Sequence, residues 1–213
     1  MVKLGFGVLA GILATSFSLA SVADEVAVNK LTDHTGWYIG GSIGHVDSEA
    51  EKARNFDSSG NAFGVYGGYN FSKWLGLEMD FQASEDIKED VNLGDGSRVK
   101  SVYYAGFSVM PKATWQINDN FALFGKAGMA VLSYTEESRR SNSSYRYRHE
   151  DTWTDLVPGY AVGAEVSTNI GVKIRLAYTA ISGDLEYDDD YWDDVEDIDA
   201  KFETLTLGVH YQF

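Results

Sequence analysis

The chain has 213 residues, no cysteine, two prolines, 22 glycines and a formal charge of −15. The lack of cysteine excludes disulfides, thiolate metal ligands and cysteine nucleophiles, and so acidic a balance works against binding nucleic-acid phosphates. With 44% hydrophobic and 14% aromatic residues there is enough apolar material to fold, as one domain of about 200 residues or two small ones.

Residues 1–23 carry one lysine, Lys3, an apolar stretch from Leu4 to Ala14, and small residues ending in Ser21-Val22-Ala23. The pattern predicts a secretory signal peptide cleaved after Ala23. Its apolar part is shorter than the roughly 20 residues of a spanning helix. Residues 24–36 are then expected to be a short periplasmic segment, with the folded domain over 37–213. Export without cysteine fits a Gram-negative envelope better than a eukaryotic secretory route.

From Trp37 onward, segments of about ten residues set large apolar side chains on one parity and small or polar ones on the other. The first opposes Trp37, Ile39 and Ile43 to Tyr38, Gly40, Ser42 and Gly44. The second has Phe63, Val65, Tyr69 and Phe71 against Ala62, Gly64, Tyr66, Gly68 and Asn70, and the third has Leu75, Leu77, Met79 and Phe81 against Gly76, Glu78, Asp80 and Gln82. Tyr103, Phe107, Val109 and Trp115 oppose Ser108, Met110, Lys112, Thr114 and Gln116, and Phe121, Leu123, Met129 and Val131 oppose Lys126, Gly128 and Ala130. Leu156, Tyr160, Val162 and Val166 face away from Gly159, Ala161, Gly163 and Glu165. Val172, Ile174, Leu176 and Tyr178 alternate with Lys173, Arg175, Ala177 and Thr179, and the last segment sets Leu205, Leu207, Val209, Tyr211 and Phe213 against Thr204, Thr206, Gly208, His210 and Gln212.

Eight such segments predict an all-β, eight-stranded antiparallel up-and-down transmembrane β-barrel. Short links at Ser72-Lys73, Asn118-Asp119-Asn120 and Thr168-Asn169 alternate with long polar ones over 47–61, 84–100, 135–151 and 182–200. Outer-membrane barrels have this asymmetry, with short periplasmic turns and longer extracellular loops. A soluble barrel would have to enclose its tryptophans, phenylalanines and leucines and expose glycine, so the apolar parity is expected to face lipid. Trp37, Phe71, Trp115, Phe121, Tyr211 and Phe213 would form a lower aromatic girdle, with Tyr103, Trp153 and Tyr178 nearer the upper one.

The run from Ala62 to Phe71, Leu75-Gly76-Leu77-Glu78-Met79, Pro111-Lys112 through Phe121 to Gly125-Lys126-Ala127-Gly128-Met129, Gly163-Ala164-Glu165 and Ile174-Arg175-Leu176-Ala177-Tyr178 together resemble the OmpA transmembrane barrel family. The likeness covers nearly all of the segment after the signal. It implies an outer-membrane location and contacts with outer-membrane lipids and lipopolysaccharide. It also implies that Tyr211-Gln212-Phe213 is the terminal aromatic signal read by the outer-membrane assembly machinery. Full-length relatives add a peptidoglycan-binding domain after the barrel. This sequence stops at Phe213, so cell-wall tethering is not carried over.

The inward parity holds three acids and four bases, Glu78, Asp80, Glu165, Lys112, Lys126, Lys173 and Arg175. A three-residue turn at 118–120 places Lys112 opposite Lys126, so both need acids from other strands, with Glu78 and Glu165 as candidates. The family resemblance implies a gate of Glu78, Arg175, Lys112 and Glu165. The plainer alternative is a set of pairs that neutralises a narrow core.

The link at 182–200 is acidic and the link at 135–151 carries Arg139, Arg140, Arg146 and Arg148. Asp188, Asp189 and Asp190 are the residues a hard divalent cation would use. Their spacing matches no EF-hand loop, so a solvated loop is expected, with no metal site and no cofactor. An enzyme would need a base near the outer rim, where only His45 and His149 lie, the latter close to Ser141, Ser143 and Ser144. No catalytic residue is assigned. The expected role is a structural or surface-interaction barrel whose loops meet extracellular ligands. A low-conductance gated pore and a lipid hydrolase at the rim are the alternatives.

Overall fold

The computed structural model describes residues 35–51, 56–85, 87–93, 96–142, 145–168, 170–185 and 198–213. The expected signal peptide and Asp188, Asp189 and Asp190 lie outside them. The strands are β1 Gly36–Glu51, β2 Phe56–Asn70, β3 Leu75–Ser84, β4 Ile87–Leu93, β5 Gly96–Gln116, β6 Phe121–Asn142, β7 Tyr145–Ser167, β8 Val172–Leu185 and β9 Ile198–Gln212. They form one antiparallel sheet in the order β3-β2-β1-β9-β8-β7-β6-β5-β4, closed by pairing of β3 with β5. Both β3 and β4 pair with β5, so they are two pieces of one stave interrupted after Ser84. The molecule is a closed eight-stave barrel without a helix among the described residues. Closure pairs every stave on both sides along the belt, which is what a sheet in hydrocarbon requires.

The short turns are built by local side chains. Ser72 Oγ accepts the amide protons of Trp74 and Leu75, each at 3.2 Å. Asn118 Oδ1 accepts those of Asn120 and Phe121 at 3.0 and 2.9 Å, an Asx turn. Before β8, Gly171 takes φ 78°, a conformation that side-chain-bearing residues rarely adopt. The chain closes on itself where the Phe213 amide donates to the Trp37 carbonyl at 2.9 Å.

The apolar parity faces out. Trp37 is 64% exposed, Ile43 69% and Trp115 66%, and the same face carries Leu205, Leu207, Val209, Tyr211 and Phe213 on β9. Toward the long-link end the polarity inverts. On β1 the outward sequence Trp37, Ile39, Ile43 gives way to exposed His45 and Asp47, while the inward Ser42 and Gly44 give way to buried Val46. On β9 the outward residues beyond Leu205 are Glu203, Lys201 and Asp199, and the inward ones are Phe202 and Ala200. On β8 outward Ser182 and Asp184 oppose buried Ile181 and Leu185. An apolar exterior thus ends where an ordinary water-facing barrel begins, and the inversion marks the edge of the lipid belt. At that edge the Tyr178 hydroxyl donates to Glu203, which also pairs with Lys201 at 3.0 Å.

Two expectations change. The polar links at 47–61, 84–100 and 135–151 are largely strand, since β1 and β2 pair out to Ala50 with Phe56, β4 and β5 from Ile87 with Val102 out to Leu93 with Gly96, and β6 and β7 out to Asn142 with Tyr145. Of the link at 182–200 only 182–185 and 198–200 are described, and these are strand. Outside the lipid an outward polar face is compatible with a strand, so polarity there does not mean loop. Trp153 is not in the aromatic girdle. It lies on the inward parity of β7, 6% exposed, against Tyr134 with ring centroids 5.7 Å apart. Together with Tyr104, Leu132, Phe202 and Leu185 it belongs to an apolar cluster inside the barrel.

Sidedness of this kind sets the cost of an added charge. Val209→Arg, in the middle of the outward apolar run of β9, is expected to destabilise the refolded protein by about 2–4 kcal/mol. Ser182→Arg, beyond the belt, should stay within about 0.5 kcal/mol. Denaturant unfolding in lipid vesicles measures both.

Candidate functional site: an ion-paired lumen

Alternation and register bring Glu78 and Asp80 (β3), Lys112 (β5), Lys126 (β6), Glu165 (β7) and Arg175 (β8) into the lumen, all buried. Lys112 is the cross-strand partner of Lys126, and Glu165 that of Arg175. Glu78 is the centre. Its Oε1 accepts from Lys126 Nζ at 2.7 Å and Arg175 Nη1 at 2.9 Å, and its Oε2 from Arg175 Nη2 and the Tyr38 hydroxyl, both at 2.7 Å. Glu165 Oε1 accepts from Lys112 Nζ at 2.6 Å and from Arg175 Nη2 and Nε at 2.7 and 3.1 Å. Asp80 Oδ2 accepts from Lys126 at 3.3 Å. Lys112 Nζ also lies 4.0 Å from Glu78 Oε2. Three carboxylates and three cations thus neutralise one another, and Arg175 clamps Glu78 with two parallel hydrogen bonds, a geometry that only a guanidinium supplies. The seventh inward charge, Lys173, is only half-buried and stands apart from this set.

Aromatic rings enclose the charges. The Arg175 guanidinium lies over Tyr66 at 4.3 Å and Phe124 at 4.6 Å, and the Lys112 ammonium lies 5.0 Å from both Tyr38 and Phe124. Such contacts are strengthened by desolvation. Tyr66 Oη and His210 Nδ1 share a hydrogen bond at 3.2 Å. Each of the eight staves therefore contributes a side chain to the knot or its lining. Glycine makes the room: a Cβ on Gly68 would sit 2.5 Å from Tyr38 Oη, and one on Gly163 would sit 2.5 Å from Phe124 Cζ.

The alternation placed Tyr38, Tyr66 and His210 inward without giving them a role. Their signal was size, because they are large rings on a parity that along the alternating stretches of β1, β2 and β9 is otherwise small or polar. The apolar cluster beyond the knot was missed because most of its large residues, such as Leu132, Tyr134, Trp153 and Phe202, lie just past the ends of the stretches whose alternation was read, and only Leu185 and Ala200 fall in a segment read as a link. At the rim, His45 Nε2 lies 3.5 Å from Asp47 Oδ1, and among the described residues no serine bonds to it. The side chain of His149 and the arginines of 139–148 lie outside those described. Tyr211 and Phe213 face out with ring centroids 5.3 Å apart.

The knot's stability is asymmetric. Glu78→Ala strips two buried cations of their main acceptor and should destabilise the barrel by about 3–5 kcal/mol. Asp80→Asn, with one longer contact to lose, should cost about 1–2 kcal/mol. Comparing the two midpoints in urea checks that order.

The chain matches the family described as "Outer membrane protein beta-barrel domain" over residues 10–213. A search of curated proteins finds no match. Among solved structures it is similar to Ail, the attachment invasion locus protein of Yersinia pestis, with 18% identity, 84% of this chain and 99% of that one covered, and a TM-score of 0.51. It is similar to Neisserial surface protein A (12% identity, 84% and 97% covered, TM-score 0.57). It is also similar to OprG of Pseudomonas aeruginosa (13% identity, 85% and 97% covered, TM-score 0.53). At these identities the likeness is one of fold, and it agrees with the closed barrel. The chain belongs to the outer membrane β-barrel protein family.

Proposed function

We propose that the protein is a non-catalytic surface-interaction barrel of a Gram-negative outer membrane, with its short turns in the periplasm and its long hairpins outside the cell. Residues 1–23 act as the export signal, 24–36 lead into the barrel, and Tyr211 and Phe213 serve as the aromatic assembly signal. The observation that carries the reading is the filled lumen. An ionic knot lies at one level and an apolar cluster of Tyr104, Leu132, Tyr134, Trp153 and Phe202 at the next, so the hairpin ends remain as surfaces for partners.

Among these ends the β5–β6–β7 ribbon has a distinctive register. It sets Arg98 opposite Arg140, Arg139 opposite Arg148 and Ser141 opposite Arg146. Beyond the next row, Ser138 with His149, two rows are acidic, Glu137 with Glu150 and Glu136 with Asp151. The register gathers five arginines into adjoining rows of one ribbon, a density of positive charge that suits a polyanion. Ail has been crystallised with the heparin analogue sucrose octasulfate. A sulfated or phosphorylated saccharide, lipopolysaccharide included, is the partner chemistry that suits this tip.

A pore is the second reading, supported by a recess at the short-turn end that reaches inward to Lys112 and Glu165. Two measurements on the refolded protein separate the readings. Binding to a heparin surface should weaken with added salt and fall at least about tenfold when Arg139, Arg140, Arg146 and Arg148 are replaced by serine, while planar bilayers show no unitary steps. Unchanged binding in that variant, or conductance steps that respond to Glu78→Ala, would favour the pore.

A further inference from the structure

The knot balances three acids against three bases, which leaves Lys173 as the surplus charge of the lumen. Its neighbours across the sheet are Ser167 on β7 and His210 on β9. No carboxylate oxygen lies within 4.0 Å of its ammonium among the described residues. Lys173 lines the recess at the short-turn end together with Lys73, Asn70, Gln116 and Ser167, and the Lys112–Glu165 pair forms the inner wall. Lys73 is exposed, with its ammonium 5.1 Å from the Trp74 ring. Asn70 is 8% exposed, and its amide has no protein hydrogen-bond partner among the described residues. Lys112 and Glu165 pair with each other, and although Glu165 attracts Lys173 at longer range, the recess keeps two cations with no ion-pair partner among the described residues and an amide donor with no hydrogen-bond partner among them. A half-buried ammonium without a counter-ion is costly. The interior of the recess has room for about one water molecule, so an anion that removes that cost sits at its mouth, between the half-buried Lys173 and the exposed Lys73.

We propose that this recess binds a phosphate group through Lys173 and Lys73, with the Asn70 amide as a neutral donor. Lysine serves phosphate as a point charge, without the planar fork that a carboxylate partner favours. The group can come from free phosphate or from the headgroup of a phospholipid in the adjoining leaflet, and the chemistry of recognition is the same.

The test is calorimetric titration of the refolded barrel with inorganic phosphate at constant ionic strength, first in maltoside micelles, which carry no phosphate. Saturable binding in the low-millimolar range is expected, weakened at least about tenfold by Lys173→Gln and by Lys73→Gln. Heat-modifiability on a gel reports whether each variant is folded. Lys173 is outside the knot, so both should fold. The same titration in phosphatidylglycerol nanodiscs distinguishes the sources. Loss of the phosphate heat there identifies a lipid headgroup as occupant, whereas persistence identifies free phosphate. Absence of saturable binding in micelles, or equal affinity in the folded Lys173→Gln and Lys73→Gln variants, overturns the proposal.

Discussion

Backbone amides and carbonyls find no partner in hydrocarbon, and the rest of this structure depends on that constraint. A sheet that crosses lipid has to close, because an edge would leave a row of unpaired polar groups in a medium that cannot solvate them. Here closure is made between β3 and β5. Once the sheet is closed, each strand has one face toward lipid and one toward a lumen too narrow for much besides side chains. Alternation then follows: bulky apolar residues outward, small ones inward, and the few large inward groups are specific fittings. The inversion of polarity at His45, Glu203 and Ser182 shows the same rule from the other side. Where water replaces lipid, the barrel reverts to apolar inside and polar outside.

Inside, two kinds of filling follow one another along the axis. Six charges within the belt are tolerated because every carboxylate accepts from cations drawn from other staves, and the rings of Tyr38, Tyr66 and Phe124 exclude water around them. Partners such as Glu78 and Arg175, or Lys112 and Glu165, are distant in sequence, so the knot ties together staves that share no backbone ladder. Buried ion pairs contribute little net stability over apolar packing, but they penalise any register in which a charge loses its partner. A one-residue slip of any one of these staves would turn its own charges toward lipid and leave their partners unpaired. Beyond the knot the apolar cluster carries no charge that would select a register in this way.

The sequence was a good guide to whatever period two controls. Face assignment, closure into eight staves, and the opposition of Lys112 to Lys126 all follow from alternation and one turn length. Strand length did not, because a strand leaving the lipid exchanges its two faces, and read as composition that exchange looks like a polar loop. Trp153 shows the error in a single residue. Its size suggested an interfacial anchor, although its odd position on a strand with even outward residues already placed it inside. The pairing among the charges was legible only in outline. Which acid meets which base depends on the stagger of strands around the closed sheet, and the bidentate Arg175–Glu78 contact joins residues 97 apart.

The fold and the lumen both rest on the sidedness of the belt, and spin labels placed singly at 204 through 209 on β9 report it in a refolded, membrane-embedded barrel. Labels at 205, 207 and 209 should relax with lipid-soluble oxygen, whereas those at 204, 206 and 208 should be shielded from it. Oxygen access at the even positions with shielding at the odd ones would contradict the account.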